Sequence, residues 1–142
     1  TLNESKYFKS NFTGLQYKIR HNLTCKSSYC VYLIMCLQCT KQYTGSSTQA
    51  MHLRHGGHRQ EVMNNSSELG RHFTRCGGVT SMSVQIIDCV REGEEEALRY
   101  LEGIWQNRLA TFMQNNGNIN VRDEMRRNPQ GLVNLTRRTF GV

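Results

Sequence analysis

The chain has 142 residues, of which 37% are hydrophobic, and both values suit a single domain with a core of its own. No uninterrupted apolar run of about 18 residues occurs, which excludes a membrane-spanning helix. Lysine and arginine outnumber aspartate and glutamate by 18 to 11, and the resulting net charge of +7 favours a polyanionic partner such as nucleic acid.

The first 45 residues predict an arm followed by a hairpin. Residues 1–24 are polar with scattered apolar side chains, which predicts an irregular N-terminal arm. Residues 30–36 form a continuous apolar run rich in β-branched and aromatic side chains, the pattern of a buried strand. Residues 41–45 predict a second short strand, close enough to pair with the first in an antiparallel hairpin. The connecting loop would then hold Cys36 and Cys39.

Two helices are predicted after this hairpin. Residues 46–48 offer hydroxyl groups for a helix cap, and residues 51–62 place apolar and basic side chains at roughly helical spacing. The pair at 56–57 is Gly-Gly, which costs about 1 kcal/mol per glycine relative to alanine, so we expect this helix to be short or kinked. A second helix is predicted over residues 66–73, with the Gly-Gly pair at 77–78 ending it.

The remaining pattern predicts a third strand and a long helix. Residues 83–88 alternate in polarity, as a strand does. Acids at 94–96 suit a helix N-terminus, and the apolar stripe that follows includes Trp105 and Leu109, which we assign to the core. The fold class predicted is therefore α+β, with a small three-stranded antiparallel sheet flanked by helices. The chain divides into an arm at 1–24, a core at 25–121 and a basic extension at 122–142.

Six cysteines permit either metal binding or disulfides. The spacing favours metal, because a C-x2-C pair and an H-x3-C pair separated by a long loop are typical of a tetrahedral zinc site. The ligands predicted on this spacing are Cys36, Cys39, His72 and Cys76. Cys25 and His58 remain alternative ligands. The alternative class is a secreted domain with three disulfides, which the N-x-S/T sequons at Asn11, Asn22 and Asn134 would fit.

The order of motifs resembles a known family. Tyr32 and Tyr43 on successive strands, an arginine on the next helix and a glutamate on a later one resemble the GIY-YIG endonucleases, specifically those of Penelope-like retroelements. The matching segments are Cys30-Val31-Tyr32 and Tyr43-Thr44-Gly45 for the two triplets, Cys36 and Cys39 for the C-x2-C pair between them, Arg54 to His58 for R-x3-H, Leu69 to Phe73 for the HF motif, Glu102 to Trp105 for E-x2-W, and Gly117 to Asn120 for the closing segment.

The resemblance implies a GIY-YIG-like fold with an inserted zinc knuckle and a set of catalytic residues. That set is Tyr32, Tyr43, Arg54, His58, Glu102 and Asn120. A carboxylate such as Glu102 can hold Mg²⁺ or Mn²⁺, a hard cation that prefers oxygen ligands. The planar fork of Arg54 can clamp a phosphate, and the tyrosines can position or deprotonate the attacking water. Zinc would be structural, and Asn120 would brace the site.

The expected function is metal-dependent cleavage of DNA, most simply nicking of a target for retroelement insertion. By resemblance, the domain would lie in a polyprotein behind a reverse transcriptase, with that enzyme and its RNA as partners, and would act in the nucleus. The alternative is a zinc-containing module that binds nucleic acid without cleaving it. Such a module would keep the four metal ligands but would not need Glu102 or the tyrosine pair.

Overall fold

The central element of the domain is a three-stranded antiparallel sheet. The computed structural model describes residues 2–112 and 118–120. Within them the elements follow in the order β1 (Tyr7–Lys9), β2 (Gln16–Lys18), β3 (Cys30–Cys36), β4 (Gln42–Ser47), α1 (Met51–Met63), α2 (Ser67–Arg75), a short 3-10 turn (Val79–Ser81), β5 (Met82–Cys89) and α3 (Glu95–Leu109). The predicted hairpin, third strand and three helices are all confirmed. No helix of these described residues is long and apolar enough to cross a membrane.

Strand β3 lies in the middle of the sheet, in the order β4-β3-β5, and pairs antiparallel with both neighbours. Six of its seven residues are buried, as its continuous apolar sequence predicts for a strand covered on both faces. The register with β4 places Tyr32 opposite Gly45. The strand pairing alone therefore places the two predicted triplets, residues 30–32 and 43–45, side by side.

The helices cover opposite faces of the sheet because side chains alternate along a strand. Tyr32 and Ile34 of β3 belong to one apolar cluster, which also contains buried residues of α1 and α2. Val31 and Leu33 point to the other face and pack with the apolar stripe of α3, including the predicted core residues Trp105 and Leu109. The small α+β arrangement with flanking helices is therefore confirmed.

Helix α1 is not cut short by its two glycines. It runs continuously for 13 residues through Gly56 and Gly57. Met51, His58 and Val62 are buried along its length, and their contacts hold the helix together across the two glycines. The expectation of a short helix was wrong because tertiary packing outweighs the low propensity of glycine.

The N-terminal segment is not the irregular arm that its sequence predicts. Strands β1 and β2 form a second, two-stranded antiparallel sheet. Phe8 is buried, with its ring 5.6 Å from Tyr17 and 5.1 Å from Trp105. Ser10 Oγ donates a hydrogen bond of 2.6 Å to the carbonyl of Leu109. The hairpin is therefore part of the core around α3, an outcome that depends on contacts almost a hundred residues away.

The predicted basic extension at 122–142 lies outside the described residues, as does Gly117 of the closing motif. Asn118 and Asn120 are described, and both return to strand β4. Asn118 Oδ1 accepts a hydrogen bond of 2.9 Å from the backbone N–H of Gln42. The segment after α3 is thereby tied to the same strand that carries Tyr43 and Gly45.

Candidate functional site

The four predicted metal ligands lie together between β3 and α2. Cys36 ends β3, Cys39 lies in the following turn, His72 is in α2 and Cys76 caps that helix. Their ligand atoms all lie within 4.8 Å of one another. We call these four residues the metal cluster, and this grouping could hold a metal ion such as zinc.

The distances inside the metal cluster suit tetrahedral coordination. Cys36 Sγ is 3.5 Å from Cys76 Sγ, and Cys39 Sγ is 3.4 Å from His72 Nε2. In a tetrahedral zinc site the bond lengths imply about 3.8 Å between two sulfurs and about 3.5 Å between a sulfur and a nitrogen. The ligand atoms therefore lie close to the edges of the tetrahedron that zinc would require.

Local backbone geometry explains why the ligands converge. The N–H of Thr40, a residue with φ of 64°, donates to the carbonyl of Cys36 at 2.8 Å, which closes the turn that carries Cys39. After Cys76 the chain turns at Gly77 with φ of 84°, where a Cβ would overlap the side chains of Ser81 and Gln38. Only glycine therefore lets this turn pack against the C-x2-C loop.

The electrostatics of the metal cluster favour the metal-binding forms of Cys36 and His72, whereas the hydrogen bond with Cys36 raises the pKa of Cys76 to about 11. Burial acts to raise the pKa of the Cys36 thiol, but the backbone N–H groups of Cys39 and Gln38, together with the thiols of Cys76 and Cys39, lower that pKa below its ordinary value. Burial lowers the pKa of His72, and two nearby cations add to the effect. A thiolate and a neutral imidazole are the forms that bind zinc.

The two alternative ligands do not join this group. Cys25 is exposed, and its carbonyl contacts His52. His58 is engaged in a separate hydrogen-bond network described below. All six cysteines lie within the described residues and are free thiols, so a framework of three disulfides is not what the structure contains.

The second group of predicted site residues begins with a buried tyrosine and histidine. Tyr32 Oη lies 2.5 Å from His58 Nε2, and the two side chains are 1% and 0% exposed. The ring of Tyr43 lies 6.2 Å from that of His58. A Cβ on Gly45 would lie 2.5 Å from Tyr32 Oη and 2.8 Å from the Tyr43 ring, so both tyrosines meet over a residue that must be glycine.

Arg54 and Glu102 line one groove of about 610 Å³ beside this pair. We call it the Arg54–Glu102 groove. Its walls come from the end of β4 and the loop after it, from α1 and from α3: Ser46, Ser47, Thr48, Gln49, Arg54, Glu95, Leu98, Arg99 and Glu102. Residues far apart in sequence thus bring a guanidinium and a carboxylate to the same opening.

Glu102 and Asn120 are held by a buried network on strand β4. Gln106 Nε2 donates to Thr44 O at 3.1 Å and lies 3.4 Å from Glu102 Oε2. Asn120 Oδ1 accepts from Thr44 N at 2.7 Å and from Thr111 Oγ1 at 2.6 Å, and Asn120 Nδ2 donates to Thr44 O at 2.9 Å. Asn120 therefore fixes the strand between Tyr43 and Gly45, and the bracing role in catalysis that the resemblance implies for it stays a prediction.

Burial sets the protonation states of the Tyr32–His58 pair. It raises the pKa of the Tyr32 phenol well above its ordinary range, although the positive charge of Arg54 opposes the rise. Burial also lowers the pKa of His58 to about 4, with a further contribution from Arg54 and opposition from Glu61. At neutral pH the imidazole is therefore neutral, and its Nε2 can accept the phenolic proton of Tyr32.

Sequence reasoning missed Glu61. Its carboxylate contacts both His58 Nδ1 and Arg54 Nη2, at 3.2 Å and 3.4 Å. Arg54, His58 and Glu61 follow one another at i, i+4 and i+7, the spacing that places three residues on one helix face. That spacing was the signal that could have found it.

Comparisons of the chain with protein families, with curated proteins and with solved structures returned no match. The metal cluster and the Arg54–Glu102 groove must therefore supply any functional conclusion through their own chemistry.

Proposed function

We propose that the protein is a metal-dependent DNA endonuclease of the GIY-YIG type. One observation carries the proposal: Arg54 and Glu102 line one groove, and the Arg54 guanidinium borders the buried Tyr32–His58 pair, so that five side chains from four separate elements lie in one region. They are Tyr32, Tyr43, Arg54, His58 and Glu102. A proton acceptor, a phosphate-binding cation and a carboxylate for a hard cation are the groups that phosphodiester hydrolysis requires together.

Arg54 is the phosphate-binding group in this proposal. Its guanidinium lines the groove, and its planar fork matches two phosphate oxygens. The net charge of +7 adds a general attraction for the DNA backbone. Together these features draw a phosphodiester to the opening beside the tyrosines.

The Tyr32–His58 pair receives the proton of the attacking water. The water enters from the groove beside Arg54, which is the charged neighbour of the buried phenol. The water gives a proton to Tyr32 Oη while the phenolic proton passes to His58 Nε2. The water oxygen forms a bond to phosphorus, the bond to the leaving oxygen breaks, and the leaving oxygen takes a proton from solvent.

Glu102 is suited to hold the catalytic cation. Its carboxylate offers the oxygen ligands that Mg²⁺ and Mn²⁺ prefer. Nearby, Gln106 Oε1 is buried without a hydrogen-bond partner among the described residues, and such an orphaned acceptor fits a water bound to the cation. When bound, the cation would supply Lewis-acid stabilisation of the charge that develops on the phosphate.

The wider context of the proposal rests on the family resemblance alone. It comprises a structural zinc in the metal cluster, nicking of target DNA for retroelement insertion, a reverse transcriptase domain in the same polyprotein with its RNA, and action in the nucleus. The alternative function is a zinc-containing nucleic-acid-binding module that does not cleave. The metal cluster supports either function equally, so only the groove distinguishes them.

The decisive experiment is nicking of supercoiled plasmid in magnesium by Glu102→Gln. We expect cleavage to fall by several orders of magnitude, because the substitution removes the charge that holds the cation. Folding and zinc content should not change. The matched control is Glu96→Gln, which removes the same charge from an exposed position on the same helix and should cleave normally. If Glu102→Gln cleaves within about tenfold of wild type, the binding-module alternative replaces the proposal.

A further inference from the structure

The carboxylate of Glu61 contacts three side chains, two on its own helix and one at the start of α2. Oε2 lies 3.2 Å from His58 Nδ1, and Oε1 accepts a hydrogen bond from Arg54 Nη2 at 3.4 Å. Ser67 Oγ, from the start of α2, donates to Oε2 at 3.0 Å. One acid therefore contacts both the residue that binds phosphate and the residue that takes the proton in the proposed reaction.

We propose that Glu61 is the positioning residue of the site, which fixes the tautomer of His58 and the direction of the Arg54 guanidinium. This inference rests on the proposed function, because it assigns Glu61 to the base and to the phosphate-binding group of that reaction. Glu61 acts through these two residues and is not itself a catalytic residue.

The tautomer follows from what an ionised carboxylate can do. Glu61 can only accept hydrogen bonds, so His58 must carry its proton on Nδ1 to satisfy the contact. Nε2 is then left with a lone pair facing Tyr32 Oη. A histidine without this partner could carry its proton on Nε2 instead, and it could not then accept the phenolic proton.

Charge balance gives Glu61 a second effect on the base. His58 is fully buried, and it becomes positively charged when it accepts a proton. The titratable and charged groups that face it are Tyr32 from β3, Tyr43 from β4, and Arg54, His55 and Glu61 from α1. Of these, Glu61 is the acid, and it raises the pKa of His58 against the effects of burial and Arg54.

The carboxylate is held from outside its own helix as well. Besides the Ser67 hydroxyl, the backbone N–H of Ser66 donates to the Glu61 carbonyl at 3.0 Å. Gly70 of α2 approaches so closely that a Cβ there would overlap the same carbonyl. The two backbone contacts fix the main chain of Glu61 against α2, and the Ser67 hydroxyl holds the carboxylate itself. A carboxylate held in this way can orient its partners where a mobile one cannot.

The test compares Glu61→Gln with Glu68→Gln in the full zinc-loaded chain. Glu68 is a matched control, because it pairs with Arg71 at the same i,i+3 spacing but on the exposed side of α2. For plasmid nicking in magnesium, we expect Glu61→Gln to lower kcat about a hundredfold with little change in KM. The acidic limb of the pH–rate profile of Glu61→Gln should move to lower pH, because His58 loses the neighbouring charge that raised its pKa. Glu68→Gln should leave kcat and the pH profile unchanged.

An NMR measurement tests the inference without relying on cleavage. The ring ¹⁵N shifts of wild-type His58, assigned by comparison with His58→Gln, should show protonated Nδ1 and bare Nε2 at neutral pH. The His58 titration midpoint should fall in Glu61→Gln. A wild-type His58 protonated on Nε2, or a midpoint that Glu61→Gln does not move, would overturn the inference. An active Glu102→Gln would overturn the proposed function instead, and the NMR result would stand independently.

Discussion

The metal cluster and the Tyr32–His58–Glu61 network differ in what holds their side chains in place. The metal cluster brings three thiols and an imidazole together, groups that form only weak hydrogen bonds with one another. The network around His58 consists of hydrogen bonds among hydroxyl, imidazole, carboxylate and guanidinium groups, and its members are satisfied without any ligand. We therefore expect the metal cluster to depend on a bound metal for stability, whereas the network is formed without any ligand.

Loss of the metal should produce the largest effect. Cys39→Ser removes one ligand, and structural zinc contributes on the order of 10 kcal/mol to folding in small zinc-binding peptides. We expect about one zinc per wild-type chain, and a variant that does not fold cooperatively. Metal analysis and thermal unfolding check this. Cys25→Ser is the control, because Cys25 is exposed and outside the metal cluster. A wild-type chain that stays fully folded after exhaustive chelation would contradict the prediction.

Loss of Arg54 should remove most of the cleavage activity and keep most of the DNA affinity. Arg54→Ala removes the guanidinium from the groove, and we expect nicking to fall about a thousandfold, as when a single transition-state donor is removed. DNA affinity should fall only slightly and should keep its steep salt dependence, because one phosphate contact among several is lost. Nicking and salt-titrated binding assays measure the two effects. Arg59→Ala, at an exposed position of the same helix, should nick normally; equal losses in both variants would refute a special role for Arg54.

His58 should make the domain less stable in acid. Its pKa is about 4 in the folded protein, below the ordinary value of 6.5, so the unfolded chain binds more protons between these pH values. Stability is fully present above pH 6.5 and should fall as pH drops towards 4, by up to about 3 kcal/mol from this group. Urea unfolding at several pH values should show that the free energy of unfolding changes less steeply with pH in His58→Gln than in the wild type. The exposed His52→Gln should keep the wild-type slope, and a His58→Gln slope equal to wild type would show that His58 does not cause it.

Gly45 should give the smallest of these effects on stability and a clear effect on the network. Gly45→Ala places a methyl group 2.5 Å from Tyr32 Oη, and relief of such overpacking costs about 2 kcal/mol. Because the phenol must move, its hydrogen bond to His58 should weaken and nicking should decline. Gly56→Ala is the control for the clash, because nothing lies within 4 Å of the added Cβ; it should not lower stability, and the helix propensity of alanine should raise it by about 1 kcal/mol. Chemical denaturation and the His58 ring shifts measure both effects; an undisturbed His58 signal would contradict the predicted clash.

The sequence predicted the parts of the fold that depend on local patterns. Strand β3 could be predicted because it is apolar throughout, and α3 because its apolar stripe repeats over 15 residues. The β1–β2 hairpin was not predicted, because its strands have three residues each and depend on Trp105 for burial. No local pattern carries that information.

The candidate sites were predictable to different degrees for the same reason. The ligands of the metal cluster were evident because Cys36 and Cys39, like His72 and Cys76, come in short pairs whose spacing reflects coordination geometry. The burial of Tyr32 was expected from its apolar strand, but that of His58 could not be anticipated, because it follows from the packing of α1 on the sheet. Glu61 was missed because its one signal in the sequence is its spacing from Arg54 and His58, and that spacing does not by itself distinguish a functional acid from one on a solvated helix face.

Helix α2 touches both groups of residues at its opposite ends. Ser67 in its first turn holds Glu61, while His72 and the capping residue Cys76 belong to the metal cluster. A chain that has not yet acquired zinc would leave the far end of this helix unanchored, and with it the support for the carboxylate that orients His58. On the proposed function, zinc uptake would be a maturation step. Metal supply would then determine how many newly made chains become active, and not how fast each active chain works.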